Sequence, residues 1–194
     1  MTADNPTPTG ESPRTFAPVE NPAQRPRRTR QTVRVLLTDD DERTLLFEDS
    51  DPGLEGAHWW VTPGGGIDPG ESEVEAAIRE VGEETGIRLT AEDLVGPIAR
   101  RHVIHGYSDQ VTEQDESFYL ARVGQVVVDV SAHTEEEKLT FLQFRWWSTE
   151  ELRNTDDWVW PHELVELLHL VDEPDRWPVE LGVQEESTVL DVVS

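Results

Sequence analysis

Residues 64–87 read Gly64-Gly65-Gly66-Ile67-Asp68-Pro69-Gly70-Glu71-Ser72-Glu73-Val74-Glu75-Ala76-Ala77-Ile78-Arg79-Glu80-Val81-Gly82-Glu83-Glu84-Thr85-Gly86-Ile87. The glycine run and Pro69-Gly70 mark a loop and a turn. Ser72 can cap a helix, and Glu73 and Glu75 suit the positive end of its dipole. Val74, Ala77, Ile78 and Val81 recur at i, i+3, i+4 and i+7, an apolar stripe, and Gly86 stops the run. The pattern predicts a helix over 72–85. At about 100° per residue, Glu80, Glu83 and Glu84 fall on one face, away from the stripe. Three carboxylates so placed repel each other and destabilise the helix. That cost makes sense if a hard divalent cation sits among them, since oxygen ligands are what Mg²⁺ and Mn²⁺ prefer; the alternative, ordinarily favoured in a chain this acidic, is a solvated acidic face. Upstream, glycines let the backbone approach a ligand closely, and Glu71 can pair with Arg79 to fix the loop on the helix.

Outward from this stretch, Thr32–Leu37 reads as a strand, 39–43 as an acidic turn and Thr44–Phe47 as a returning strand. The turn lacks the glycine and distal glutamate of a calcium loop, so a plain hairpin is expected. His58–Val61 is a short strand. Past the helix, 97–107, 115–123 and 141–147 read as strands, and 91–94 as a single turn. Pro161 suits the start of a last helix, with Leu164, Leu167, Leu168 and Val171 as its apolar face. Strands and helices do not alternate regularly. The expected fold is therefore α/β: a mixed β-sheet flanked by helices, an α/β/α sandwich.

The chain has 194 residues, which fits one domain over 31–172. No cysteine is present, which excludes disulfides, a thiolate nucleophile and Cys-ligated zinc. The net charge of −25 repels nucleic acid and anionic membranes as bulk partners. No run approaches the roughly 18 apolar residues of a membrane helix. Residues 1–30 differ in character: Arg14, Arg25, Arg27, Arg28 and Arg30 outnumber Asp4, Glu11 and Glu20, and six prolines crowd the segment. It reads as a disordered tail, with Arg25, Arg27, Arg28 and Arg30 as a solvated linker in preference to a phosphate- or RNA-binding arm. No apolar stretch follows these arginines, so neither a secretory nor a twin-arginine signal is expected, and the reading is cytoplasmic. Residues 173–194 form an acidic tail.

The run from Gly65 to Ile87 resembles the Nudix box, G-x₅-E-x₇-R-E-U-x-E-E-x-G-U, with U aliphatic. Gly65, Glu71, Arg79, Glu80, Val81, Glu83, Glu84, Gly86 and Ile87 fill its nine specified positions. Trp59–Gly66 before the box and Glu116–Ala121 after it look like bacterial members of the family. The resemblance implies the α/β/α sandwich and cleavage of a pyrophosphate bond in a nucleoside diphosphate derivative, with Mg²⁺ or Mn²⁺. It implies Glu80, Glu83, Glu84 and the Gly64 carbonyl as metal ligands, Glu83 and Glu84 as catalytic, and Glu71–Arg79 as a structural pair. Gly65 and Gly66 would line the substrate.

In many members a glutamate beyond the box adds a ligand or acts as base. Glu116 and Glu113 are the candidates here. Glu116 ranks first because it opens an alternating strand, whereas Glu113 is placed on the preceding loop. His102 and His105 read as structural. Of Arg100 and Arg101, adjacent strand residues, at most one faces a phosphate, and Arg101 is taken. Trp60 and Phe118 are taken as stacking candidates for a base, with core packing as the default for each. Residues 100–106 carry neither the proline nor the tyrosine that mark two subfamilies. The substrate is therefore expected within the nucleoside diphosphate derivatives, with triphosphates preferred over nucleotide sugars by analogy with small members. The partner is a nucleotide-type small molecule, and a homodimer is allowed. A nucleotide-sensing domain without turnover is the alternative, although such domains usually show a damaged box.

Overall fold

The computed structural model describes residues 14–190 and 192. The expectation of disorder over residues 1–13 lies outside them. In chain order the elements are β1 (Arg27–Thr38), β2 (Thr44–Ser50), β3 (His58–Val61), α1 (Glu73–Thr85), β4 (Leu94–Gly106) and β5 (Val111–Arg122). They continue with α2 (Glu137–Thr140), β6 (Gln143–Trp147), α3 (Thr149–Asn154), β7 (Val159–Trp160), α4 (Leu164–His169) and β8 (Val179–Glu185). The strands form one mixed sheet in the order β7-β3-β2-β1-β5-β4-β8, with β6 paired to β2.

Period-two alternation decides which side chains face which layer. Val33, Val35 and Leu37 of β1 pack with Tyr119 and Ala121 of β5 under Ala76, Ala77 and Val81 of α1. Leu36, Phe118 and Leu120 point the other way, onto Leu152 of α3 and Leu164 and Leu167 of α4. Helices thus cover both faces, as expected for the sandwich. Burial of each such Leu, Val or Phe stabilises by roughly 1.5–3 kcal/mol.

β1 is central but does not pair fully on both edges. It runs parallel to β5 along its whole length, Arg27 opposite Val111 to Thr38 opposite Arg122. On its other edge it meets β2 only at Thr38–Thr44. There the glycine loop takes the strand's place. Val33 N donates to Gly65 O (3.0 Å), Val35 N to Pro63 O (2.8 Å), and Ile67 N to Gln31 O (3.0 Å). The hairpin expected over 39–43 is therefore real as a turn, but its arms diverge, and the loop before α1 fills the split.

Two expectations at the chain ends are corrected. Order begins well before residue 31. β1 starts at Arg27, and Arg14 forms a forked ion pair with Asp109 (2.8 and 2.7 Å) while lying over the Phe16 and Tyr107 rings. Residues 173–194 are not simply a tail, because β8 adds a parallel edge strand to β4. It is anchored by charge: Arg101, 2% exposed at its side chain, donates to both carboxylate oxygens of Glu186 (2.7 and 2.8 Å) and to Glu116 (2.8 Å). Glu113 is also moved. It lies within β5, paired with Arg27 at 2.9 Å, because β5 begins at Val111 and not at residue 115.

Removing one partner of a buried ion group leaves the others uncompensated, at about 3–5 kcal/mol. Arg101→Met is expected to lower unfolding free energy in urea by that amount. Lys138→Ala, which breaks the exposed pair with Glu135, is expected to cost under about 1 kcal/mol. Equal effects would show that β8 is not held by Arg101.

Candidate active site at the glycine loop and the first helix

α1 is set by its ends. Ser72 accepts from Glu75 N while Glu75 accepts from Ser72 N, a reciprocal cap, and Gly86 closes the helix in the left-handed conformation (φ 71°). Glu73 accepts from Ser117 Oγ (3.0 Å) and Tyr119 Oη (2.6 Å), tying the helix start to β5. At the far end His133 Nε2 donates to Glu84 O (2.8 Å) and Asp129 N to Thr85 O (2.8 Å), so the loop after β5 satisfies carbonyls the helix leaves open.

Arg79 performs the expected structural role. Its Nε and Nη2 grip the two oxygens of Glu71 (both 2.8 Å), and Nη2 also donates to Gly66 O (2.8 Å). Its Nη1 reaches Glu80 (2.8 Å) and Glu83 (3.3 Å). Glu84 turns the other way and accepts from Gly64 N at 2.9 Å. Gly64 has φ 133°, and a β-carbon there would stand 2.1 Å from Val33 O, so only glycine brings the loop this close. Beside it, Gly65 leaves room for Glu80, whose Oε1 would lie 2.6 Å from a β-carbon at 65.

The metal expectation can be tested on this chemistry. Among the described residues no three acidic or histidine groups converge into a preformed metal cluster, because Arg79 draws Glu80 and Glu83 to itself. Glu84 is nonetheless 3% exposed. Burial, and then the charge of Glu80, push its pKa well above the usual carboxylate range. Burial raises Glu80 as well, with Arg79 opposing. A buried carboxylate with no ion-pair partner, Glu84, and a second, Glu80, shared with Arg79, beside a glycine backbone, are a donor set that fits a hard divalent cation.

The residues expected beyond the box do not all reach this place. Glu116 is buried between Arg34 (Nε, 3.1 Å) and Arg101 (Nε, 2.8 Å). Burial opposes its ionisation, but those two guanidiniums prevail and hold its pKa down to about 2. Both oxygens of Glu116 are thus taken by guanidiniums, and a carboxylate so stabilised is a poor base near neutral pH. Its partner Arg101 is equally committed and is removed as a substrate contact. Phe118 is fully buried in the core beneath Arg101. Trp60 is buried against Trp147 (4.9 Å, edge-on), with Nε1 donating to Asp157. Both are core. Glu113 pairs with Arg27 (2.9 Å). His102 pairs with Asp115 (2.8 Å), and His105 Nδ1 donates to Glu186 O (3.0 Å), consistent with structural roles.

Two residues were missed. Arg34 Nη1 donates to Thr62 O (3.3 Å) and Gly64 O (3.2 Å), so the Gly64 peptide is held on its carbonyl by Arg34 and on its N–H by Glu84. Arg30 lies on the same face of β1. The signal was present: Arg28, Arg30, Thr32, Arg34 and Leu36 share one parity, and a strand extended upstream would have placed them together.

The depressed pKa of Glu116 has a definite sign. A carboxylate held below its unfolded value of about 4.3 contributes stability that is present above that pH and is lost as pH falls through about 2. Glu116→Gln is expected to cost about 3 kcal/mol at pH 7. The gap to wild type should close as urea melts are repeated from pH 4 down to pH 2. A gap independent of pH would mean that Glu116 is not an ionised partner of the two arginines.

A NUDIX domain model matches residues 28–168. The chain is 31% identical over 135 residues to an RNA pyrophosphohydrolase of Erythrobacter litoralis, spanning 64% of this chain and 79% of that protein. It is 31% identical over 107 residues to an asymmetrical bis(5'-nucleosyl)-tetraphosphatase of Mus musculus, 55% of this chain and 65% of that one. Among solved structures, a MutT protein from Methanosarcina mazei Go1 superposes with TM-score 0.52 at 22% identity, covering 79% of this chain and 98% of the other, a likeness of fold. The reciprocal Glu71–Arg79 clamp, the glycine loop and the domain match lead to one assignment: the chain belongs to the Nudix family of hydrolases.

Proposed function

We propose that this protein hydrolyses a pyrophosphate bond in a nucleoside diphosphate derivative, with Mg²⁺ or Mn²⁺ at the box. The observation that supports this most directly is the placing of two carboxylates, buried Glu84 and half-buried Glu80, against Gly64 and Gly65, where a side chain would strike Val33 O or the Glu80 carboxylate. Relatives named as a pyrophosphohydrolase and a tetraphosphatase act on the same bond class. No helix among the described residues is long and apolar enough to cross a membrane.

Glu80, Glu83, Glu84 and the Gly64 carbonyl would hold the metal. Bound there, it supplies Lewis-acid polarisation of phosphorus and an attacking water of lowered pKa. The chain's own residues do the remainder. Arg79 keeps Glu71 and the Gly66 carbonyl fixed, so the loop meets the helix in one geometry. Arg34 and Glu84 fix the Gly64 peptide from opposite sides, which sets where its carbonyl points. Catalysis of this kind depends on positioning and charge. With Glu116 withdrawn as base, the box carboxylates are the groups left to take the proton of the attacking water.

Phosphate or pyrophosphate release from a panel of nucleoside triphosphates, dinucleoside polyphosphates and nucleotide sugars tests the proposal. Activity is expected to vanish in EDTA and return with Mg²⁺ or Mn²⁺. Glu84→Gln, with the fold retained by circular dichroism, is expected to lose at least about 100-fold in kcat. Undiminished turnover in EDTA, or a Glu84→Gln variant near wild type, would overturn it.

A further inference from the structure

One face of β1 and β5 carries a row of linked polar groups that the box does not explain. From the glycine loop outward, Gly64 O accepts from Arg34, and Arg34 donates to Glu116. The hydrogen-bonding neighbours of Gln114 orient its carboxamide. The nitrogen donates to Glu116 Oε1 (3.1 Å), and the oxygen accepts from Arg30 Nη2 (2.9 Å) and Nε (3.3 Å). The row therefore runs unbroken from Gly64 to Arg30. It also branches through Arg101 to Glu186.

The charges in this row do not cancel. Among the groups hydrogen-bonded in the row, Glu116 and Glu186 face Arg34, Arg101 and Arg30, one more cation than carboxylate, while Glu80 and Glu84 of the box act on Arg30 and Arg34 through space and make no hydrogen bond to them. Arg101 is saturated by Glu116, Gln184 and Glu186. Arg34 is bound to Glu116 and two carbonyls. Arg30 is the member left over. Among the described residues no carboxylate lies within ion-pair distance of it, and its contact is the neutral side chain of Gln114. In a chain of net charge −25, carboxylates are plentiful, and an arginine held away from them stands out. Gln114 is fully buried and Glu116 nearly so, whereas Arg30 is exposed. The excess charge thus sits at the end of the row that solvent reaches.

Its position relates this cation to the box. Thr32, two residues along β1, bridges Gly66 of the glycine loop, so Arg30 lies just past the loop's end. Glu80 is close enough to be felt electrostatically at Arg30. Arg34, on the same face, is four residues or about 13 Å along the strand, and two long guanidinium side chains narrow that gap.

We propose that Arg30 binds a phosphate group beyond the scissile linkage, so that the substrates this site favours carry chains of three or more phosphates. The inference rests on the pyrophosphohydrolase reading and narrows its substrate class. Two phosphates flank the bond that is cut, and the box metal neutralises them. A diphosphate-linked sugar brings no further anion and gives Arg30 nothing to bind. A nucleoside triphosphate or a dinucleoside tetraphosphate adds charge outside the box. A planar guanidinium whose donors are not taken by carboxylates matches phosphate oxygens two at a time.

The experiment compares wild type, Arg30→Gln and Arg30→Lys in two measurements. The first is the Kd of inorganic tripolyphosphate by titration calorimetry. The second is kcat and KM for a nucleoside triphosphate, a dinucleoside tetraphosphate and a nucleoside diphosphate sugar. Loss of a charged hydrogen-bonding group is expected to weaken tripolyphosphate about 10- to 100-fold. KM for the two longer chains should rise by a similar factor, with kcat within a few-fold. Constants for the nucleotide sugar and the melting temperature should be unchanged, and Arg30→Lys should recover part of the loss. The larger kcat/KM of the two longer substrates tells which source of the phosphate chain is preferred. Unchanged tripolyphosphate affinity, or an equal KM rise for all three substrates, would overturn the assignment. A Glu84→Gln variant separates the two readings. If it turns over like wild type, the box mechanism fails, while the tripolyphosphate titration still decides Arg30.

Discussion

The approach of Gly64 to β1 is the contact on which the rest of the site depends. Val33 O stands where any side chain at 64 would begin, so the loop over 62–67 can take the position of a strand against β1. That placement delivers Glu71 to Arg79 and Gly66 O to the same guanidinium. It also brings the Gly64 amide under Glu84. The helix is not positioned by packing alone. Ala76, Ala77 and Val81 give it a small, close-fitting apolar face, and small residues let its backbone sit low enough for Glu84 to reach the loop. A larger residue at either place would separate the carboxylates from the backbone they work with.

The electrostatics of the interior run opposite to those of the whole chain. The surface is strongly acidic, yet the face of β1, β4 and β5 that bears Glu116 presents Arg30, Arg34 and Arg101. Buried ion groups rarely stabilise a fold more than apolar residues would. Here they fix position. Glu116 holds Arg34 so that it reaches two loop carbonyls, and Arg101 holds Glu116 from the far side while fastening β8.

Local chemistry was legible in the sequence, and chemistry assembled from distant segments was not. The helix, its cap at Ser72, its stop at Gly86 and the Glu71–Arg79 clamp all lie within 24 consecutive residues, where spacing converts directly to geometry. The parity of Phe118 and Leu120 places Glu116 on a buried face, but its arginine partners lie 82 and 15 residues away, where spacing says nothing about them. Trp60 and Phe118 were candidates only as aromatics, and burial decides such residues. The first half of β1 was taken for linker because its alternation is cationic against polar, without the apolar period that ordinarily signals a strand. β8 does carry a period-two apolar pattern, Val179, Leu181 and Val183, but it is short and set in an acidic segment whose composition reads as a tail.

The parallel pairing of β8 with β4 has a consequence for synthesis on the ribosome. Arg101 is made about 85 residues before Glu186, its closest partner in the fold, and until that glutamate leaves the exit tunnel the arginine is only half neutralised. The other strands, the helices and the whole glycine loop all precede Glu186 in the chain. The open edge of β4 is then exposed to other chains. β8 thus covers the edge of β4, and the segment that follows it directly supplies the second carboxylate to Arg101.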